Sequence, residues 1–165
     1  MPGHVIGKTL LRGFAGTISR QVDAIVEALQ NKDVTAIEFG TPVALNSTGD
    51  GVINWTSSHT AGDFAGIAVR EIKTENTYGQ ADAKFNAGDT VDVLVRGSIT
   101  VVCTKDSTAT YDPVKGGKVY IRKATGKFVA HAESSDTVEL ANAVWAQNGV
   151  DAGGMAEITI TKRNI

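Results

Sequence analysis

The stretch GDTVDVLVRGSITVVCT, residues 88–104, limits the fold more than any other part of this chain. Its apolar residues Val91, Val93, Val95, Ile99, Val101 and Cys103 fall on odd positions, and Asp92, Arg96, Ser98, Thr100 and Thr104 on even ones. Successive side chains of a strand point to opposite faces, so this parity predicts a half-buried β-strand. A two-residue hairpin at Gly97-Ser98 would place Arg96 opposite Ile99 and send the two apolar sets to different faces. A three-residue loop keeps the parity but puts glycine in the middle, not in the last position where the left-handed conformation is needed. What remains is one continuous strand. Thirteen residues at about 3.3 Å each span roughly 43 Å, which is long for a strand, and an internal glycine marks a bulge or a corner. Gly97 is therefore expected to turn the strand from one sheet into another.

Shorter β-type runs flank it: VTAIEF (34–39), PVAL (42–45), GVINW (51–55), FAGIAVREI (64–72), GKVYIRK (117–123), KFVAH (127–131) and MAEITITK (155–162). Turn residues separate them, and the 18 glycines exceed the roughly 12 expected at ordinary usage. Many short strands with many tight reversals predict an all-β sandwich or barrel. With 165 residues, one cysteine and no internal repeat, the chain needs neither disulfides nor a second domain to form a core. Cys103 is expected inside that core. Two segments compete with the β reading. In SRQVDAIVEALQNK, Val22, Ile25, Val26 and Leu29 fit one helix face, with Ser19 as a cap; VELANAVWAQNG does the same over fewer turns.

Charge divides the chain at residue 22. Residues 1–22 carry Lys8, Arg12 and Arg20 and no acid, leaving the other 143 residues at −5 against a whole-chain charge of −2. We read 1–22 as an N-terminal arm and 23–165 as a single β domain. Without a basic and aromatic patch, the arm does not point to nucleic acid. No secretion-type apolar core and no 18-residue apolar run appear, so the expectation is a soluble chain with no membrane partner.

Catalytic and metal chemistry find little support. His4, His59 and His131 are scattered and lack cysteine partners at ligand spacing, so no metal or other cofactor is expected. His59 and Asp63 share a loop but have no G-x-S-x-G nucleophile beside them. Gly126-Lys127 lacks the upstream glycine and the hydroxyl residue of a phosphate loop. Asp50, Asp63 and Asp89 lie in glycine-flanked turns that favour aspartate for its local hydrogen bonds. A single β domain without a catalytic constellation points to binding or structural work, not to an enzyme.

The succession IEFGTPVAL (37–45), FAGIAVRE (64–71), YGQADAKFNAGDTVDVLVRGSITV (78–101), GGKVYI (116–121), NAVW (142–145) and AEITI (156–160) resembles the capsid cement, or decoration, proteins of tailed bacteriophages. The resemblance covers roughly residues 13–165. It implies a β-barrel or jelly-roll-like domain with an extended N-terminal arm, sitting on the outer capsid surface and tying major capsid protein subunits together. We further expect a homo-oligomer, dimer or trimer, made in the host cytoplasm and carried in the virion. The resemblance also implies an extended, non-helical conformation for residues 20–31. Lys8, Leu10, Leu11, Arg12, Phe14 and Arg20 of the arm are the candidate capsid contacts, because they combine fixed positive charge with apolar surface. The alternatives are another virion part, such as a tail or head-completion protein, and a jelly-roll carbohydrate-binding module. The latter would need exposed aromatics, whereas Trp55 and Trp145 sit in apolar contexts.

Overall fold

The computed structural model describes residues 12–71, 84–104, 112–133 and 135–162. Eleven strands account for its regular structure: β1 (Ile18–Asn31), β2 (Ile37–Glu38), β3 (Pro42–Leu45), β4 (Gly51–Asn54), β5 (Phe64–Ala68), β6 (Lys84–Phe85), β7 (Thr90–Val102), β8 (Lys118–Arg122), β9 (Lys127–Val129), β10 (Thr137–Trp145) and β11 (Met155–Ile160). One 3-10 turn, Ala61–Asp63, precedes β5. The all-β expectation holds, and both segments with a competing helical pattern are strands, β1 and β10.

Residues 90–102 form the single strand that their parity predicted. One edge of β7 pairs with β1 from Thr90 to Ile99; the other pairs with β5 at Val93 and Leu94, then with β11 from Gly97 to Val102. Following the partners round, β7, β1, β4, β3 and β5 return to β7 and close a ring. A second circuit runs from β7 through β11, β10, β8 and β9, and a bridge between Phe128 and Cys103 completes it. The nine strands are one continuous sheet, so the bend at Gly97 carries β7 from one ring to the next and not into a separate sheet. β2 and β6 pair separately.

The burial follows the same division. Val91, Val93 and Val95 enter a smaller core with Ile37, Phe39, Val43, Val52 and Phe85, where the Phe39 and Phe85 rings meet edge-on at 5.0 Å. Ile99, Val101 and Cys103 enter a larger core with Phe64, Ile121, Phe128, Leu140, Trp145 and Ile158. Odd positions stay buried throughout, but what they are buried in changes at Gly97. Leu94, on the opposite face, is fully buried in the larger core beside Ile67 of β5. β7 is thus apolar on both sides where it separates the two cores, a pattern of strands covered on both faces.

Gly97 has φ +119°, a region closed to most L-residues. A Cβ there would lie 2.9 Å from the Ala24 Cα and 3.3 Å from the Asp23 carbonyl oxygen. β1 causes this crowding: its ladder with β7 shifts between Arg20↔Ser98 and Ile25↔Arg96, and the intervening residues arch over the glycine. Such a bulge bends and twists its strand.

Asn31, at the end of β1, is buried and supplies the other fixed point. Its Nδ2 donates to the carbonyl oxygens of Thr35, Phe85 and Asn86 at 3.1, 3.3 and 3.1 Å, and its Oδ1 accepts from the Asp33 N–H at 2.9 Å. One amide thereby holds the β1 terminus, the following turn and β6 together.

Candidate functional site

Of the six arm residues singled out in the sequence, Lys8, Leu10 and Leu11 lie outside the described residues. The other three occupy distinct settings. The Arg12 guanidinium donates to the backbone carbonyls of Asn148 (2.7 Å), Gly149 (2.5 Å) and Met155 (3.5 Å). Its backbone N–H donates to Asp151 Oδ2 at 2.7 Å. Arg12 thus works within the chain, fastening residue 12 to the loop between β10 and β11. Phe14 is exposed, and the Arg70 guanidinium stacks over its ring at 4.7 Å from the centroid. Arg20 Nε donates to Glu157 Oε1 at 3.1 Å.

Glu157 is a buried acid on β11, matched by three donors: Arg20, Ser19 Oγ (2.6 Å) and Gln147 Nε2 (2.6 Å). The first turn of the described chain is seated as firmly. The Gly16 N–H donates to the Thr100 carbonyl and the Gly16 carbonyl accepts from the Arg70 N–H, both at 2.8 Å. β1 begins at Ile18, so residues 18–22 of the segment read as an arm are part of the sheet.

Asp151 makes this attachment sensitive to acid. Burial alone would raise its carboxyl, but N–H donors from Arg12, Met155 and Gly153, with the Arg12 charge, hold it below the ordinary value of 3.8. A carboxyl lowered in the folded state adds stability above its unfolded pKa and loses it as pH falls toward the folded one. The 148–155 loop should therefore loosen below about pH 4, read as amide exchange of residues 12–17 and 149–155. Arg12→Ala should produce the same loosening at pH 7, with a loss of about 1–2 kcal/mol in a denaturant titration. A titration of Arg12→Ala that overlays the parent would remove the clamp from the account.

β1 supplies a surface that the six candidate contacts did not include. Val22, Ile25 and Val26 are exposed, although their spacing had matched the buried face of a helix. The bulge produces this, because it interrupts the two-residue alternation of the strand and brings neighbouring side chains outward. Among the described residues no strand pairs with the second edge of β1 between Ile18 and Leu29; β4 joins only at Gln30 and Asn31.

Other candidate chemistry is locally accounted for. His59 Nδ1 accepts from the Thr56 N–H at 2.9 Å, and Asp63 Oδ2 accepts from the Thr60 N–H and Oγ1, both at 2.8 Å. No group of His, Cys, Asp and Glu among the described residues could hold a metal ion. Trp55 and Trp145 are buried, so neither presents a ring on which a sugar could stack. An open depression beside Trp55 is lined by Thr35, Glu38, Thr41 and Asn54. Its polar groups bond one another, Thr41 Oγ1 to the Glu38 carbonyl at 2.7 Å and Asn54 Nδ2 to Thr35 Oγ1 at 2.9 Å.

Comparison with known proteins gives a consistent result. The family described as structural cement protein (E217 gp24/Pam3 gp6) matches residues 4–161. No curated protein shows a significant sequence match. A chain in the solved capsid of Myoviridae Phage XM1 superposes over 100% of both chains, with a TM-score of 0.73 and 16% sequence identity. At that identity the likeness concerns the fold.

Proposed function

The chain belongs to the phage structural cement protein family and is a capsid-stabilising structural protein that associates with the major capsid protein; we propose that it does so from the outer face of the shell, as a non-catalytic homo-oligomer. The family match over nearly the whole chain is the observation that carries this reading. Cementing a shell asks for repeated contacts of moderate size, each near the standard interface of about 1,600 Å², with avidity across subunits supplying the rest. The two linked rings suit such a role as a rigid body, and the settings of His59 and Asp63 favour a structural over a catalytic account. Nucleic acid has no place in this reading, because the basic residues 12 and 20 are bonded within the chain.

The N-terminal arm is proposed as one of the capsid contacts. Since Arg12 fastens the loop before β11, Lys8 tests its charge without disturbing that fastening. Lys8→Glu should weaken binding to expanded, undecorated capsids in co-sedimentation, more at low salt than at high, because a surface charge is screened beyond about 8–10 Å at physiological ionic strength. Equal occupancy at every salt concentration would take the arm's charge out of the interface. Electron cryomicroscopy of the decorated particle tests the wider proposal, and density inside the shell would overturn it.

A further inference from the structure

We infer that Arg70, whose guanidinium lies over the rings of Phe14 and Phe39, is a docking arginine that takes a carboxylate of the major capsid protein. This rests on the cement reading and names a residue and a chemistry for one of its contacts. Three separate parts of the chain converge to build the patch. The Arg70 N–H donates to the Gly16 carbonyl and the Gly40 N–H to the Ala68 carbonyl, both at 2.8 Å. The backbones meet so closely that a Cβ on Gly16 would stand 2.7 Å from the Arg70 nitrogen and 2.9 Å from the Gly40 nitrogen. Phe14 and Phe39, close to these glycines in sequence, are thereby brought to one guanidinium, whose carbon lies 4.7 and 5.9 Å from their ring centroids. Phe39 is buried against Phe85, whereas Phe14 is 64% exposed. One ring is an anchor and the other is left on the surface.

A cation held by ring faces keeps its N–H donors for oxygen acceptors. Those of Arg70 are unspent: Arg12, Arg20, Arg96 and Arg122 each bond a carbonyl or carboxylate of the chain, whereas Arg70, among the described arginines, makes only its two ring contacts. A positive charge without a counter-charge, positioned beside an exposed aromatic ring, matches the arginine and aromatic anchors that dominate interface energetics. Its complement is a carboxylate received on two parallel N–H bonds, with an apolar neighbour lying against Phe14. A single guanidinium is too little for a nucleic-acid backbone, whose affinity comes from several neutralised phosphates. A two-fold contact centred on the patch would set one guanidinium against the other, so a second copy of the chain is the poorer occupant. One ring and one charge also offer far less than the roughly 1,200–2,000 Å² of a free-standing complex, yet they serve as one contact among many on a lattice. Phe14 follows the Arg12 clamp at the base of the arm, so the patch adjoins the segment already proposed as a capsid contact.

The test uses the full chain and expanded capsids of its own phage that lack it. Arg70→Gln removes the charge, and Arg70→Lys keeps the charge but loses the planar fork. Both retain the backbone bond to Gly16 and should melt within about 4 °C of the parent. In co-sedimentation Arg70→Gln should need at least about tenfold more protein for half occupancy, and Arg70→Lys at least about threefold more. Arg70→Glu should bind weakest. Among assembled capsids that carry a single exposed Asp or Glu replaced by Lys, one should restore Arg70→Glu binding by at least about tenfold, a charge exchange that a merely structural role of Arg70 would not produce. Parent and Arg70→Gln binding equally, or no such capsid restoring Arg70→Glu, overturns the carboxylate contact and leaves the cement reading standing; if Arg70→Gln does not fold, Arg70→Lys decides on the same terms. A parent that does not bind those capsids at all removes the cement reading, and this inference with it. If the variants instead convert an oligomer in solution to monomers by analytical ultracentrifugation, the occupant is a second copy and the inference fails.

Discussion

Gly97→Val is expected to cost about 3 kcal/mol or more, seen as a fall of roughly 6–12 °C in Tm for a domain of this size. Two effects combine. A β-branched residue at φ +119° is strained wherever it sits, and here its Cβ would also lie 2.9 Å from the Ala24 Cα, closer than such atoms approach. The β1 bulge cannot withdraw easily, since Arg20 is bonded to buried Glu157 below it and Ile25 rejoins the ladder above. Gly49→Ala separates the contributions: its φ is +73° with nothing within 4 Å of the added Cβ, so it carries strain without collision and should cost only about 1 kcal/mol. If Gly97→Val melts like the parent, or like Gly49→Ala, the crowded joint described above is wrong.

Asn31→Ala should lower stability by about 2–4 kcal/mol in chemical denaturation. The lost amide leaves three carbonyls without its donor and the Asp33 N–H without its acceptor, in a place where water does not reach. Asn31→Asp is the sharper probe. At pH 7 it turns an acceptor-only carboxylate toward the Thr35, Phe85 and Asn86 carbonyls, and it should be at least as damaging as alanine. Protonation restores one donor, so the deficit relative to the parent should shrink as pH falls toward 4. An Asn31→Ala protein within about 2 °C of the parent would show that those carbonyls find other partners.

How far the chain could be read without coordinates depended on the range of the interaction concerned. The β7 parity, the order of the strands and the burial of Cys103, Trp55 and Trp145 are written locally, in alternation and turn residues, and the structure agrees with them. The apolar residues of β1 misled for a physical reason: spacing of three and four signals a helix only when it marks a buried face, and here it marks side chains exposed by a bulge. Leu94 broke the parity of β7 because a second core lies behind it, and nothing within the strand announces that core. The Arg12 contacts with Gly149 and Asp151 join positions 137 and 139 residues apart, with no motif at either end. Nothing in the sequence around Asn31 singles it out, because its partners at Phe85 and Asn86 lie 54 and 55 residues away.

The sharing of β7 between both rings has a mechanical consequence. A pull that separates the rings runs along a covalent chain, not across an interface, and β1 and β11 lie alongside that chain close to the joint. Force applied in this direction loads rows of hydrogen bonds in parallel, so they must fail together, whereas a pull at right angles would open them one at a time. The protein should therefore resist stretching along β7 more than peeling across it. On a shell swollen by packed DNA, a cement stretched along β7 meets the load in its stiff direction.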